Sequence, residues 1–253
     1  MDLRLTDRVY VLTGASRGLG FATAQCLVGE GAKVVLSSRA QENVTAAVDS
    51  LGGPGHATGL TADLADPATP QRLVQLALDR YGRLDGALVS VGGPPRGTAL
   101  QATDEQWRAA FETVFLGAVR AARTVAAQLT AGGVIGFVLS SSARTPIEGL
   151  GISNGLRPGL LGVAKDLADE LGPRGIRVLS LLPGRIMTDR SRELFAATAD
   201  PDAARTAVEA AIPLRRLGEP EEFGRVAAYL LSPAASYLTG LAVPVDGGAI
   251  RSL

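Results

Sequence analysis

Seven short apolar runs recur along the chain at intervals long enough to hold a helix, and this spacing constrains the fold more than any other feature. They fall at 8–13, 33–38, 57–61, 85–91, 134–139, 176–182 and 241–246. Runs of this kind read as strands buried on both faces, the condition of a parallel sheet with helices above and below it. Between them, 104–129 carries Trp107, Phe111, Val114, Phe115, Ala118 and Ala122 near a helical period. The stretch 158–171 does the same with Leu160, Leu161, Val163, Leu167 and Leu171. No repeat or linker divides the chain, so the expectation is one α/β domain over 1–253 with a three-layer, doubly wound parallel sheet of about seven strands.

Composition narrows the chemistry. Lys plus Arg and Asp plus Glu both number 25, so no basic field exists to hold nucleic acid or an anionic membrane surface. The lone Cys26 excludes an internal disulfide and a multi-thiolate metal site, and it suits a reducing compartment. The single His56 excludes any mechanism needing two histidines. The N-terminus is too charged for a signal peptide and no window approaches the ~18 apolar residues of a membrane span, so a cytoplasmic protein is expected.

Directly after the first run comes Thr13-Gly14-Ala15-Ser16-Arg17-Gly18-Leu19-Gly20, followed by the apolar stretch Phe21 to Leu27. Strand, glycine-rich turn and helix in that order make a dinucleotide site. The glycines let the backbone turn tightly and approach a pyrophosphate, which free N–H groups and the positive end of the helix dipole hold. Glycine is over-represented, 31 of 253 residues against a usual ~7%, and this turn explains part of the excess.

The spacing Gly-x-x-x-Gly-x-Gly resembles the fingerprint of the short-chain dehydrogenase/reductase family, and the resemblance runs in order over the whole chain. Asp63-Leu64 after the third run is similar to the family's adenine-contacting pair, and Val89-Ser90-Val91-Gly92-Gly93 stands where the family has Asn-Asn-Ala-Gly. Pro183-Gly184-Arg185-Ile186-Met187-Thr188 resembles its nicotinamide loop, Pro-Gly-x-x-x-Thr, and Val245-Asp246-Gly247-Gly248 its C-terminal strand ending. The resemblance implies a Rossmann fold, oxidoreductase activity on a small carbonyl or alcohol, and a nicotinamide cofactor. It implies cofactor contacts at Gly14, Ser16, Arg17, Gly18, Leu19, Gly20, Ser38, Arg39, Asp63, Leu64, Ser90, Gly92, Pro183, Gly184, Ile186 and Thr188. It also implies a homo-oligomer, tetramer or dimer, assembled through the long helices after strands four and five and through the last strand. The small-residue run Gly117 to Ala122 would suit close helix packing there.

Charge distinguishes the cofactor forms. A preference for NAD(H) usually places a carboxylate at the end of the second strand to hold the ribose 2′-hydroxyl, whereas a 2′-phosphate calls for arginine. Here that strand ends Ser37-Ser38-Arg39, and Arg17 in the turn adds a second cation, so NADP(H) is expected over NAD(H).

The resemblance breaks at the reaction centre. In the family a serine follows the fifth strand, and thirteen residues later Tyr-x-x-x-Lys lies on one face of the next helix. Ser140 takes the serine's place, but thirteen residues on stands Ser153, and four beyond it Arg157. Val114 takes the place of the family's helical asparagine. A serine hydroxyl is a far weaker acid than tyrosine, and arginine stays protonated, so Ser153 is a poor general acid or base. A site of Ser140, Ser153 and Arg157 would instead stabilise a developing alkoxide and draw its proton from water. Gly92-Gly93-Pro94-Pro95 together with Ser153-Asn154-Gly155-Leu156-Arg157 resembles an atypical branch of the family with Ser-Asn-x-x-Arg at this helix.

Three functions fit: an NADP(H)-dependent oxidoreductase with an atypical centre, a cofactor-binding sensor or partner subunit without redox turnover, and non-redox chemistry like that of halohydrin-dehalogenating relatives. The intact Thr13–Gly20 turn and the missing tyrosine argue against the third. The segment 185–218, weakly periodic and rich in arginine and proline, stands where a substrate lid is expected. Its Arg190, Arg192, Arg215 and Arg216 would suit an anionic carrier such as an acyl thioester.

Overall fold

All seven runs are strands in the computed structural model, which describes residues 1–252. They are β1 Val9–Leu12, β2 Lys33–Ser38, β3 Ala57–Thr61, β4 Gly86–Ser90, β5 Val134–Val138, β6 Arg177–Pro183 and β7 Leu241–Val245. Every neighbouring pair is parallel. The order is β3-β2-β1-β4-β5-β6-β7, so the winding reverses between β1 and β4 and opens a crevice at their carboxyl ends.

Strand alternation builds two cores. Val9 and Val11 of β1 face one side and Tyr10 and Leu12 the other. The first side is covered by α3 Thr69–Tyr81, α5 Gly117–Gln128 and α6 Gly151–Leu171. The second is covered by α1 Gly18–Gly29, α2 Gln41–Ser50 and α9 Pro220–Leu231, giving the three layers expected.

Three stretches differ from their sequence patterns. The span 104–129 is α4 Asp104–Ala110, a π-helical turn Phe111–Leu116, then α5. One wide turn shifts the register by a single residue, too little for hydrophobic periodicity to reveal. Gly117 closes this turn against the Leu64 carbonyl, where a Cβ would sit 2.6 Å from oxygen. Helix α6 begins at Gly151, ahead of 158, and runs through Pro158, whose missing N–H leaves one turn without its backbone bond. The segment 185–218 holds two short helices, α7 Asp189–Ala196 and α8 Pro201–Ala211, capped by the side chains of Thr188 and Asp200. Its base is closed by a parallel bridge between Ile186 and Gly218, with Met187 N–H donating to the Gly218 carbonyl at 2.8 Å.

The small-residue run after β4 is spent inside the subunit. Ala118, Ala121 and Ala122 are buried in the first core, where they let α5 approach the sheet and α3.

Candidate active site

The glycine-rich turn is locked onto the crevice by one side chain. The Thr13 hydroxyl donates to the Ser90 carbonyl at 2.7 Å and accepts from the Ser90 N–H at 2.8 Å, pinning the ends of β1 and β4 together. Gly14 has φ +58°, and a Cβ there would lie 2.9 Å from the Ser90 carbonyl oxygen. A Cβ at Gly20 would lie 2.8 Å from Ala15 Cα, so only glycine lets α1 start this close to the turn. No side chain caps the N-terminus of α1, which leaves its first N–H groups free to receive an anion.

A cleft of about 550 Å³ opens over this turn. It is lined by Gly14, Ser16, Arg17, Ser38, Arg39, Asp63, Leu64, Ser90 and Gly92, nine residues that the sequence nominated for a cofactor. Gly18 and Leu19 are half-buried and Gly20 is buried, and Gly18 lies against the Thr188 methyl, so the turn meets the 183–188 loop. In that loop Gly184 N–H donates to the Val245 carbonyl, Ile186 is buried, and the Thr188 hydroxyl caps α7. Arg17 and Arg39 are exposed, and their side chains make no ion pair or hydrogen bond among the described residues. The second cleft wall comes from Gln106, Ala109 and Ala110 of α4 with Thr113 and Val114 of the π turn, and Arg190 reaches in over Gly93. Sequence reasoning missed this wall, because only tertiary packing turns that helix face toward the turn. The free helix end, the glycine cradle and the two unpaired arginines fit a dinucleotide.

The proposed centre is arranged differently from the simple picture of three converging donors. Ser140, on the loop after β5, accepts the Ser142 N–H at 3.1 Å and caps a short 3₁₀ turn. The hydroxyl that meets Ser153 belongs to Ser142, with the two oxygens 3.0 Å apart. Spacing did not identify Ser142, since the tight turn at 141–143 sets which serine faces the helix. Ser153 is 5% exposed and Arg157 4%. Arg157 Nη1 donates to the Val138 carbonyl at 3.0 Å, and its Nε, fully buried, has no partner. Burial alone pushes this guanidinium down to about 10, which leaves it a cation at neutral pH. Asn154 accepts from the Ile147 N–H and donates to the Ile147 carbonyl, tying the start of α6 to its preceding loop.

Other residues weighed from sequence lie elsewhere or are engaged. Lys165 is exposed near Asp169, His56 is exposed beside β3, and Cys26 packs against the second core. Tyr10 is buried and donates to the Leu231 carbonyl. Of the arginines in 185–218, Arg192 pairs with Asp189, Arg216 with Glu222, and Arg215 holds the Ala210 carbonyl. No cluster of three or more metal-ligating side chains occurs among the described residues.

The profile described as Enoyl-(Acyl carrier protein) reductase matches residues 14–249. The chain belongs to the short-chain dehydrogenase/reductase family. Members of this family are oxidoreductases that bind a nicotinamide cofactor. The chain is 36% identical over 255 residues to dehydrogenase/reductase SDR family member 4 of Sus scrofa, covering 98% of this chain and 89% of the relative. Among solved structures it is similar to L-sorbose reductase of Gluconobacter frateurii, complexed with NADPH and L-sorbose (30% identity, 100% of both chains, TM-score 0.91). It is also similar to a short-chain oxidoreductase of Pseudomonas aeruginosa described as containing an atypical catalytic centre (28% identity, 98% and 99% of the two chains, TM-score 0.92).

Proposed function

We propose that the chain is an NADP(H)-dependent oxidoreductase acting on a small carbonyl or alcohol, possessing an atypical centre of Ser140, Ser153 and Arg157 to which Ser142 is added. The observation that carries the cofactor form is the cleft edge at β2, where Arg39 and Arg17 stand unpaired and the strand ends without a carboxylate. A 2′-phosphate supplies the charge these two guanidiniums lack. Bound at this cleft, the cofactor supplies a hydride to the carbonyl carbon. The chain's own part is to hold the pyrophosphate on the N-terminus of α1, to place the carbonyl oxygen toward the serine hydroxyls, and to enclose the reaction under the 185–218 segment acting as a lid. With no tyrosine at the centre, the proton reaches the oxygen from water through the Ser142–Ser153 hydroxyl pair. Titration with NADPH and NADH, followed by NADPH oxidation across a carbonyl panel, tests the reading; tighter NADH binding would overturn the cofactor assignment.

A second reading, cofactor binding without redox turnover, is favoured by one observation: Ser153 and Arg157 are both buried and already hydrogen-bonded. Tight NADPH binding with no oxidation of any carbonyl would decide for it. The reading is completed by a cytoplasmic location and by a homo-oligomer, dimer or tetramer. The support for assembly is β7, a sheet-edge strand whose outer backbone groups are unpaired and whose Leu241 is 43% exposed.

A further inference from the structure

Three charged side chains are buried among the described residues, and the chain satisfies two of them. Asp85 is paired with Arg8 and Arg83. Arg177 donates to the carbonyls of Leu230, Leu238 and Ser232, two of them at the negative end of α9. Arg157 has a single acceptor, the Val138 carbonyl, and an orphaned Nε. Among the described residues no carboxylate lies close enough to act on it, and burial depresses its pKa. An uncompensated buried cation is costly, and Arg157 keeps its charge with no counter-charge and with less hydrogen bonding than the other two.

Its position relates it to the cofactor cleft. Val138 is in register with Ser90, and Ser90 lines the cofactor cleft beside the Thr13 clamp. The Val138 backbone therefore lies one strand spacing, ~4.8 Å, from the strand end that floors the cleft, and the guanidinium, 3.0 Å from the Val138 carbonyl, is buried near that end without lining the cleft itself. One helical turn before it, Ser153 carries the hydroxyl pair of the proposed centre. An oxidised nicotinamide ring carries a positive charge and a dihydronicotinamide ring carries none, so a fixed buried cation at this end of the cleft acts on the two forms unequally.

We infer that Arg157 makes the site selective for the reduced cofactor, which biases the enzyme toward carbonyl reduction and speeds release of the oxidised form. The inference rests on the nicotinamide end lying over β4 and β5. Dissociation constants of NADPH and NADP⁺ for the full chain, measured by calorimetry on wild type, Arg157→Met and Arg157→Lys, test it. Wild type is expected to bind NADPH on the order of tenfold more tightly than NADP⁺, the factor that about 1.4 kcal/mol represents. Arg157→Met should bring the two constants within about twofold of each other, and Arg157→Lys should keep the difference, because only the charge matters. If Arg157→Met does not fold, wild type still answers. Tetrahydro-NADP, neutral and redox-inert, should bind as NADPH does, and binding like NADP⁺ would overturn the inference. Tight but equal binding of the two forms would overturn it alone, whereas failure of both to bind would overturn the cofactor reading as well.

Discussion

Arg39 and Ser153 show how much one side chain decides here. Arg39 stands exposed at the end of β2 with no side-chain partner, so its contribution to the fold is small and, on the proposed reading, its contribution to a 2′-phosphate large. Arg39→Ala is expected to weaken NADPH about ten- to a hundredfold, the value of a lost charged hydrogen bond, while NADH affinity stays within a few-fold; parallel titrations of the two cofactors check this. Ser153→Ala removes a hydroxyl held 3.0 Å from Ser142 and should lower kcat for carbonyl reduction about a hundredfold with NADPH affinity unchanged. Equal activity in Ser153→Ala, measured by single-turnover NADPH oxidation, would remove Ser153 from the mechanism. Residue types at this site were legible in the sequence because they follow fixed spacings from strand ends. Their partners were not: Ser142, rather than Ser140, meets Ser153 because a 3₁₀ turn rotates residues 141–143 by an amount no spacing encodes.

At the scale of elements, the 185–218 segment and its anchor carry the next test. Glu222, at the third position of α9, accepts from Arg216 and from the Glu219 N–H, a capping box fused to an ion pair that fixes the end of the 185–218 segment. The Arg216 guanidinium, and after it that backbone donor, pull the Glu222 carboxyl down to about 2. A proton thus binds more weakly in the fold than in the unfolded chain, so the group stabilises the protein above the ordinary carboxylate range and the contribution fades as pH falls toward 2. Because the pair is exposed and screened, Glu222→Gln should cost only about 0.5–1 kcal/mol at neutral pH. Urea melts should show that difference shrinking near pH 3; a constant difference would place the loss in packing. The segment's two helices escaped sequence reading because both are short, bury none of their residues, and in α8 build the apolar face mostly from small alanines. The π turn escaped because a one-residue shift in register is too small for hydrophobic periodicity to show.

For the whole molecule, the unpaired outer side of β7 and exposed Leu241 call for a covering partner, and a second copy of the chain is the proposed one. Wild type should sediment above the 26.0 kDa of one chain, and Leu241→Lys should shift it toward the monomer. A wild type that sediments as a monomer would remove the proposal. The sequence by itself determined the strand count, the parallel winding, the phosphate-binding turn and the absence of Tyr-x-x-x-Lys, since each is written in local periodicity or in a short motif. Only the tertiary structure decided that Gly117, Ala118, Ala121 and Ala122 pack inside the subunit, that α4 walls the cleft, and that Arg157 is buried with one acceptor. Those facts depend on which surfaces segments far apart in sequence present to one another. Burial and hydrogen-bond satisfaction are properties of that arrangement, and no stretch of residues carries them alone.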